Sequence, residues 1–174
     1  MSAPSETQVP DAVAGCLEAC RRCEAVVAAV VDRHPGAFPA VGPHLRHCVD
    51  HFTLLLDGWR TGFVDYDARS RDPRLERDPR AVLAALRDIA GTLLTIRRDN
   101  LDDRLVVSQS AAPGRPPASS PTRLERELLF LSGHAIHHIA IMVLAASAAG
   151  VAIPSELAVA FSTAVHRESL AVTG

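Results

Sequence analysis

Ser132-Gly133-His134-Ala135-Ile136-His137-His138-Ile139 places three histidines inside an apolar run that reads as one long helix. Residues four apart on a helix lie about 40° apart around its axis, so His134 and His138 leave the same face and can aim two imidazoles at one point. Leu131 and Met142 lie on the same stripe, which turns the pair toward a core rather than toward water. Burying an imidazole with no partner costs roughly 1–3 kcal/mol per unsatisfied polar group, so something must engage these nitrogens. A metal ion does this for both at once, whereas a structural histidine needs only a nearby carbonyl. A second segment, His44-Leu45-Arg46-His47-Cys48-Val49-Asp50-His51, repeats the interval at His47 and His51. Two helices carrying facing histidines predict a helical bundle with a donor set in its interior, and the spacing leaves His47 and His51 equally eligible as third donor.

Outward from these segments, apolar residues at Val13, Cys16, Leu17, Cys20, Cys23, Val27, Val30 and Val31 predict an amphipathic first helix over about 9–33. The second helix is expected over about 41–59, with Leu45, Cys48, Phe52, Leu55 and Leu56 as its apolar side. A charged connection follows over 60–78, and Asp78-Pro79 supplies a cap and first-turn proline for a third helix over about 79–98. Between Asn100 and Ser120 the helical period disappears; Leu105-Val106-Val107-Ser108 allows one short strand at most before Pro113-Gly114-Arg115-Pro116-Pro117. Ser120-Pro121 repeats the cap signal for the fourth and longest helix, which Gly150 stops, and Pro154-Ser155-Glu156 opens a short last helix through Val165. The expectation is all-α: a four-helix bundle with long connections and a short C-terminal helix. One domain spans 1–174, with a core over about 9–150 and an extension over 151–174.

Charge is nearly balanced, with 18 Lys+Arg, all of them arginine, against 20 Asp+Glu, and only seven aromatics are spread along the chain. With no basic stripe, nucleic acid is excluded as an expected partner. Met1-Ser2-Ala3-Pro4-Ser5-Glu6 lacks the positive start and apolar block of a leader, and the longest uncharged apolar stretch, Ile139 to Ile153, is shorter than the roughly 18 residues of a membrane span. A cytoplasmic protein with no membrane partner is expected. Cys16, Cys20 and Cys23 have the spacing of an iron–sulfur motif, but they lie on one apolar helical face, where reduced cysteine packs as a small hydrophobe. Cys48 reads the same way.

Of the other histidines, His137 lies on the opposite flank from His138 and reads as a structural residue or one that supports a ligand from outside, His44 lies near a helix start as a cap or solvated group, and His34 and His166 lie at the surface. Asp50 and Glu127 are available as carboxylates to orient a metal-bound ring, or simply as solvated charges.

Arg46-His47-Cys48-Val49-Asp50-His51 and His134-Ala135-Ile136-His137-His138, together with the helix order and long connections over about 9–150, make the chain resemble the DinB/YfiT-like superfamily. Those proteins are four-helix bundles that bind a divalent metal through one histidine of the second helix and a His-x-x-x-His pair of the last. The resemblance implies His47, His134 and His138 as ligands. Many relatives continue with Arg-Gly-Gln, where this chain has Ile139-Ala140-Ile141, which removes polar groups from the edge of the site. The superfamily includes S-transferases that attach small thiols to electrophiles, and a three-nitrogen site with an open position suits activation of a thiol or of water.

The reading is a metal-dependent enzyme that activates a low-molecular-weight thiol for transfer to an electrophilic metabolite or xenobiotic. Its ion is divalent, zinc first, with nickel or iron as alternatives. His51 is the candidate general base and Asp50 its orienter, while the connection around Asp65-Tyr66-Asp67-Ala68-Arg69 is either a cover for the site or a solvated linker. Alternatives are a metal-dependent hydrolase, a non-catalytic metal-binding homodimer associated with stress, and a metal-free bundle.

Overall fold

A computed structural model describes residues 9–172, so the Met1–Glu6 stretch lies outside the described residues. The chain order is α1 (Asp11–Arg33), α2 (Phe38–Trp59), β1 (Phe63–Asp65), α3 (Pro79–Leu93), β2 (Arg104–Gln109), β3 (Ala118–Arg123), α4 (Leu124–Ala148) and α5 (Phe161–Val172), with short 3-10 turns between several of them. The protein is mostly helical, but the all-α expectation is corrected by a small three-stranded sheet.

The helices follow the apolar stripes. Along α1, Val13, Cys16, Cys20, Cys23, Val27 and Val30 are all buried, which bears out the packing reading of the cysteines; all four thiols are free. α4 packs on α1 and α2, and α3 packs on the same two helices from another side. The shared core holds Phe38, Leu45, Phe52, Leu55, Leu86, Leu93, Leu128, Leu131, Ile139 and Met142, each 2% exposed or less. By length and composition α4 is apolar enough to cross a membrane, with 39% of its apolar window buried inside the fold.

Element boundaries differ from expectation where proline was misread. α2 starts at Phe38 rather than Val41, because Pro39 is accommodated in its first turn and Pro43 lies within the helix. Asp78 does cap α3, accepting from the Arg80 amide, but the helix ends at Leu93, short of Arg98. Ser120-Pro121 is not a helix cap: it lies in β3, antiparallel to β2 with Pro121 opposite Val106. Proline cannot donate to a ladder, yet it is tolerated on an edge strand, and β3 is at the edge of the order β1-β2-β3. α4 begins three residues later, its first amide bonded to the Asp103 carbonyl at 3.0 Å and with no side-chain cap. The last helix covers 161–172, and the segment read as its start, Ser155–Ala158, is a 3-10 turn.

The sheet matters because it fixes the ends of the two histidine-bearing helices. Trp59, the last residue of α2, donates its indole N–H to Asp103 at 2.7 Å, and the Asp103 carbonyl receives the first amide of α4. β1 pairs in parallel with β2, so the chain leaving α2 is tied to the strand that leads toward α4. The connection after β1 then returns across α2. At Gly42 it approaches so closely that an added Cβ would meet the backbone of Glu76.

Gly42→Ala is expected to lower unfolding stability by about 1–3 kcal/mol, since neither backbone can move without displacing the turn. Gly91→Ala, in α3 where an added methyl meets nothing within 4 Å, should instead stabilise by about 0.5–1 kcal/mol. Urea unfolding of both variants checks the pair.

Candidate metal centre

The i, i+4 spacing on two packed helices has a direct geometric result. α2 contributes His44, His47 and His51, α4 contributes His134 and His138, and their rings form one cluster in the seam between the helices. His47 Nε2 lies 2.9 Å from His134 Nε2. The rings of His47 and His51 are 4.1 Å apart between centroids, those of His47 and His138 4.2 Å, and those of His134 and His138 4.7 Å.

Donor atoms of His47, His51 and His134 all lie within 4.8 Å of one another, so this group can hold a metal ion. A tetrahedral ion with bonds near 2.1 Å spaces its nitrogens by about 3.4 Å, so the His47–His134 pair, at 2.9 Å, would open slightly to admit one. His138 touches two of these rings, while its Nδ1 is 3.1 Å from His44 Nδ1. His47 and His134 therefore belong both to this set and to the set implied by the family resemblance. The two differ in whether His51 or His138 is the third donor.

Protonation favours ligation. Burial pushes His47 down to about 3, with the neighbouring His51, His138 and His134 and the Arg69 guanidinium acting in the same direction. His134 and His138 are pushed down to about 4 by burial first and by neighbouring histidines second. His44 and His51 are lowered as well, again chiefly by burial. At neutral pH the cluster is therefore a group of neutral imidazoles, the protonation state that binds metals.

Each ring is also oriented by a second contact. His51 Nδ1 is 2.9 Å from the His47 carbonyl, which fixes its proton on Nδ1 and leaves the Nε2 lone pair free. His47 Nδ1 accepts from Arg69 Nη1 at 3.0 Å. A neutral ring accepting there carries its proton on Nε2, the nitrogen that faces His134.

Aromatic rings close two sides: Tyr66 stacks on His51 at 5.5 Å and 17°, and Phe130 on His134 at 5.4 Å and 21°. The connection after β1 thus covers the site through Tyr66 and Arg69, as one of the two sequence readings has it.

The carboxylates serve the cover rather than the imidazoles. Asp50, 4% exposed, accepts from Arg46 at 3.0 Å and from Ser70 at 3.0 Å, and Arg46 reaches on to Glu76 at 2.6 Å. His51 is positioned by a backbone carbonyl, with no hydrogen bond to Asp50 among the described contacts. Glu127, 1% exposed, accepts from the Tyr66 hydroxyl, from Thr122 and from Arg126. His137 is exposed on the flank rather than supporting the ligands, and His34 and His166 are exposed as expected. His44 and Arg69 were the residues missed. His44 is one turn before His47 (i, i+3), a signal that could have placed it on the same stripe; Arg69 was read only as part of a connection that could cover the site, with nothing in the sequence to single out its contact with His47.

Compared with family models, with curated proteins and with solved structures, the chain matches none of them.

The depressed histidines give a pH dependence with a definite sign. Unfolded histidine protonates near 6.5 and the folded rings only near 3–4, so between those values the unfolded state binds more protons. Stability of metal-free protein should hold above about pH 6.5 and fall as pH drops toward 4. Urea midpoints of EDTA-treated protein measured from pH 7 to pH 4 test this against the His47→Gln/His134→Gln double variant, whose decline should be shallower. Equal slopes would contradict it.

Proposed function

We propose that the chain is a metal-dependent enzyme that activates a small thiol for transfer to an electrophilic substrate, on a four-helix bundle of the DinB/YfiT-like kind. The observation that carries the metal is the meeting of His47, His51 and His134 donors within 4.8 Å between α2 and α4. The thiol rests on the resemblance of the 46–51 and 134–138 motifs to that superfamily.

A divalent ion bound by three imidazoles keeps a position open and makes a bound thiol acidic enough to be a nucleophile at neutral pH. His47, His51 and His134 hold the ion in this reading. The His47 carbonyl presents His51 by its Nδ1–H, so that ring needs no rearrangement to offer Nε2. His138 lies against the rings of His47 and His134 with its Nδ1 3.1 Å from His44 Nδ1, so it would flank the ion rather than hold it. Tyr66 and Phe130, stacked on His51 and His134, exclude water from two sides and fix the ring planes. Asp50 acts on the cover, holding Ser70 and so the segment that carries Arg69. Zinc is the ion proposed first, with nickel or iron also matched by imidazole donors.

Protein purified without a histidine tag should carry stoichiometric divalent metal by elemental analysis. His47→Ala and His134→Ala should each weaken metal affinity by at least about 100-fold. Comparing His51→Ala with His138→Ala identifies the third ligand: in the geometry described, His51→Ala loses metal while His138→Ala retains it. A screen with small thiols and an electrophile such as a chlorinated nitroarene then tests the reaction. Turnover of ester or amide substrates without thiol would favour the hydrolase instead, and protein lacking bound metal at every stage would leave the histidines structural.

A further inference from the structure

Arg69 has no partner to match its charge. Among the described residues no carboxylate lies within salt-bridge distance of its guanidinium, whereas the nearby Arg46 takes both Asp50 and Glu76. Its Nη1 points at His47 Nδ1, and its Nε is buried with no hydrogen-bond partner at all. An orphaned buried donor costs about 1–3 kcal/mol, and more when charged, so a position that retains one marks a missing acceptor.

The neighbouring acids among the described residues do not supply that acceptor. Asp50 is occupied by Arg46 and Ser70, Glu76 by Arg46, and Glu127 by Tyr66, Thr122 and Arg126. Asp67, two residues away, is turned to the Ser110 amide. What remains beside the cluster of neutral imidazoles is a guanidinium with no carboxylate in contact, the Asp67 charge acting on it only through space.

The contact with His47 is itself incompatible with metal binding through the nitrogen that faces His134. A ring that gives its Nε2 lone pair to an ion must carry its proton on Nδ1, and Nδ1–H is a donor that the guanidinium cannot approach as a donor. On loading, Arg69 therefore loses its single side-chain acceptor while an added cation increases the positive charge around it. A planar fork of N–H groups in that position matches a carboxylate in two-point geometry.

We propose that Arg69 anchors a carboxylate of the molecule that occupies the open metal position, so that the site selects small thiols bearing an acid group over neutral ones. This rests on the metal reading above, and the test separates the two. Arg69 acts as a specificity residue: it recognises the ligand and takes no part in holding the ion.

The test uses Co2+-loaded full-length protein and reads the thiolate-to-cobalt absorption band during titration with mercaptoacetate or with 2-mercaptoethanol. Wild type should bind mercaptoacetate more tightly, and the ratio of the two affinities should fall about tenfold or more in Arg69→Gln, with Arg69→Lys in between. Comparing ratios between proteins cancels the difference in thiol acidity of the two probes. Co2+ affinity should be unchanged or higher in Arg69→Gln, because the competing contact to His47 is gone. An equal ratio in wild type and Arg69→Gln overturns the assignment, as does loss of Co2+ binding on substitution, which would make Arg69 part of the metal scaffold. Failure of wild type itself to take up Co2+ removes the metal reading first. Wild type alone keeps the proposal falsifiable if a variant does not fold, since a preference for 2-mercaptoethanol contradicts it.

Discussion

A neutral imidazole withdrawn from water needs a partner for each of its nitrogens, and the seam between α2 and α4 is filled with rings under that constraint. It explains why the rings contact one another, why they resist protonation, and why their remaining nitrogens reach a backbone carbonyl or a guanidinium. The apolar stripes on either side leave no polar side chain of α1 or α3 among the partners found for these rings. The helices can close only with the histidines bonded to each other or to something held among them.

The polar connection after β1 is shaped by the same constraint. Its charged residues look too hydrophilic to pack, yet Tyr66 is buried and Ser70 is bonded to a buried aspartate. Asp50 and Glu127 are rare among carboxylates in being almost inaccessible; Asp50 takes one donor from its own helix, Arg46, and one from the connection, Ser70, while Glu127 takes Arg126 from its own helix and Tyr66 and Thr122 from outside it. Arg71 adopts a left-handed backbone, φ 50°, just after this tether, a conformation that costs a non-glycine residue about 1 kcal/mol or more and persists because the neighbours on both sides are fixed. The cover is therefore built into the fold.

Much of this was legible in the chain. The 3.6-residue stripes located α1, α2 and α4, the Asp78-Pro79 cap located the start of α3, and the paired i, i+4 histidines located the cluster, because helical geometry decides which residues share a face. Of the sheet only one short strand was legible, Leu105-Val106-Val107-Ser108 within β2; β3 is Ala118-Ser119-Ser120-Pro121-Thr122-Arg123, without a β-branched run, and its strand character comes from pairing with β2 rather than from its own preference. His44 shares the His47 stripe at i, i+3, whereas the contact of Arg69 with His47 depends on how closely the connection approaches α2, which periodicity does not encode. The same applies to Asp50, whose place beside His51 in sequence suggested a partnership that the fold gives to Ser70 and Arg46.

Pro121 has one more effect. β3 is the outer strand of a sheet that could otherwise continue to grow, and strands with free N–H and C=O groups on their open side recruit further chains. A proline in the middle of that strand removes a donor, and the exposed serines around it offer no apolar ridge for another molecule to cover. The residue that disguises this strand as the start of a helix also protects the folded protein against edge-to-edge aggregation.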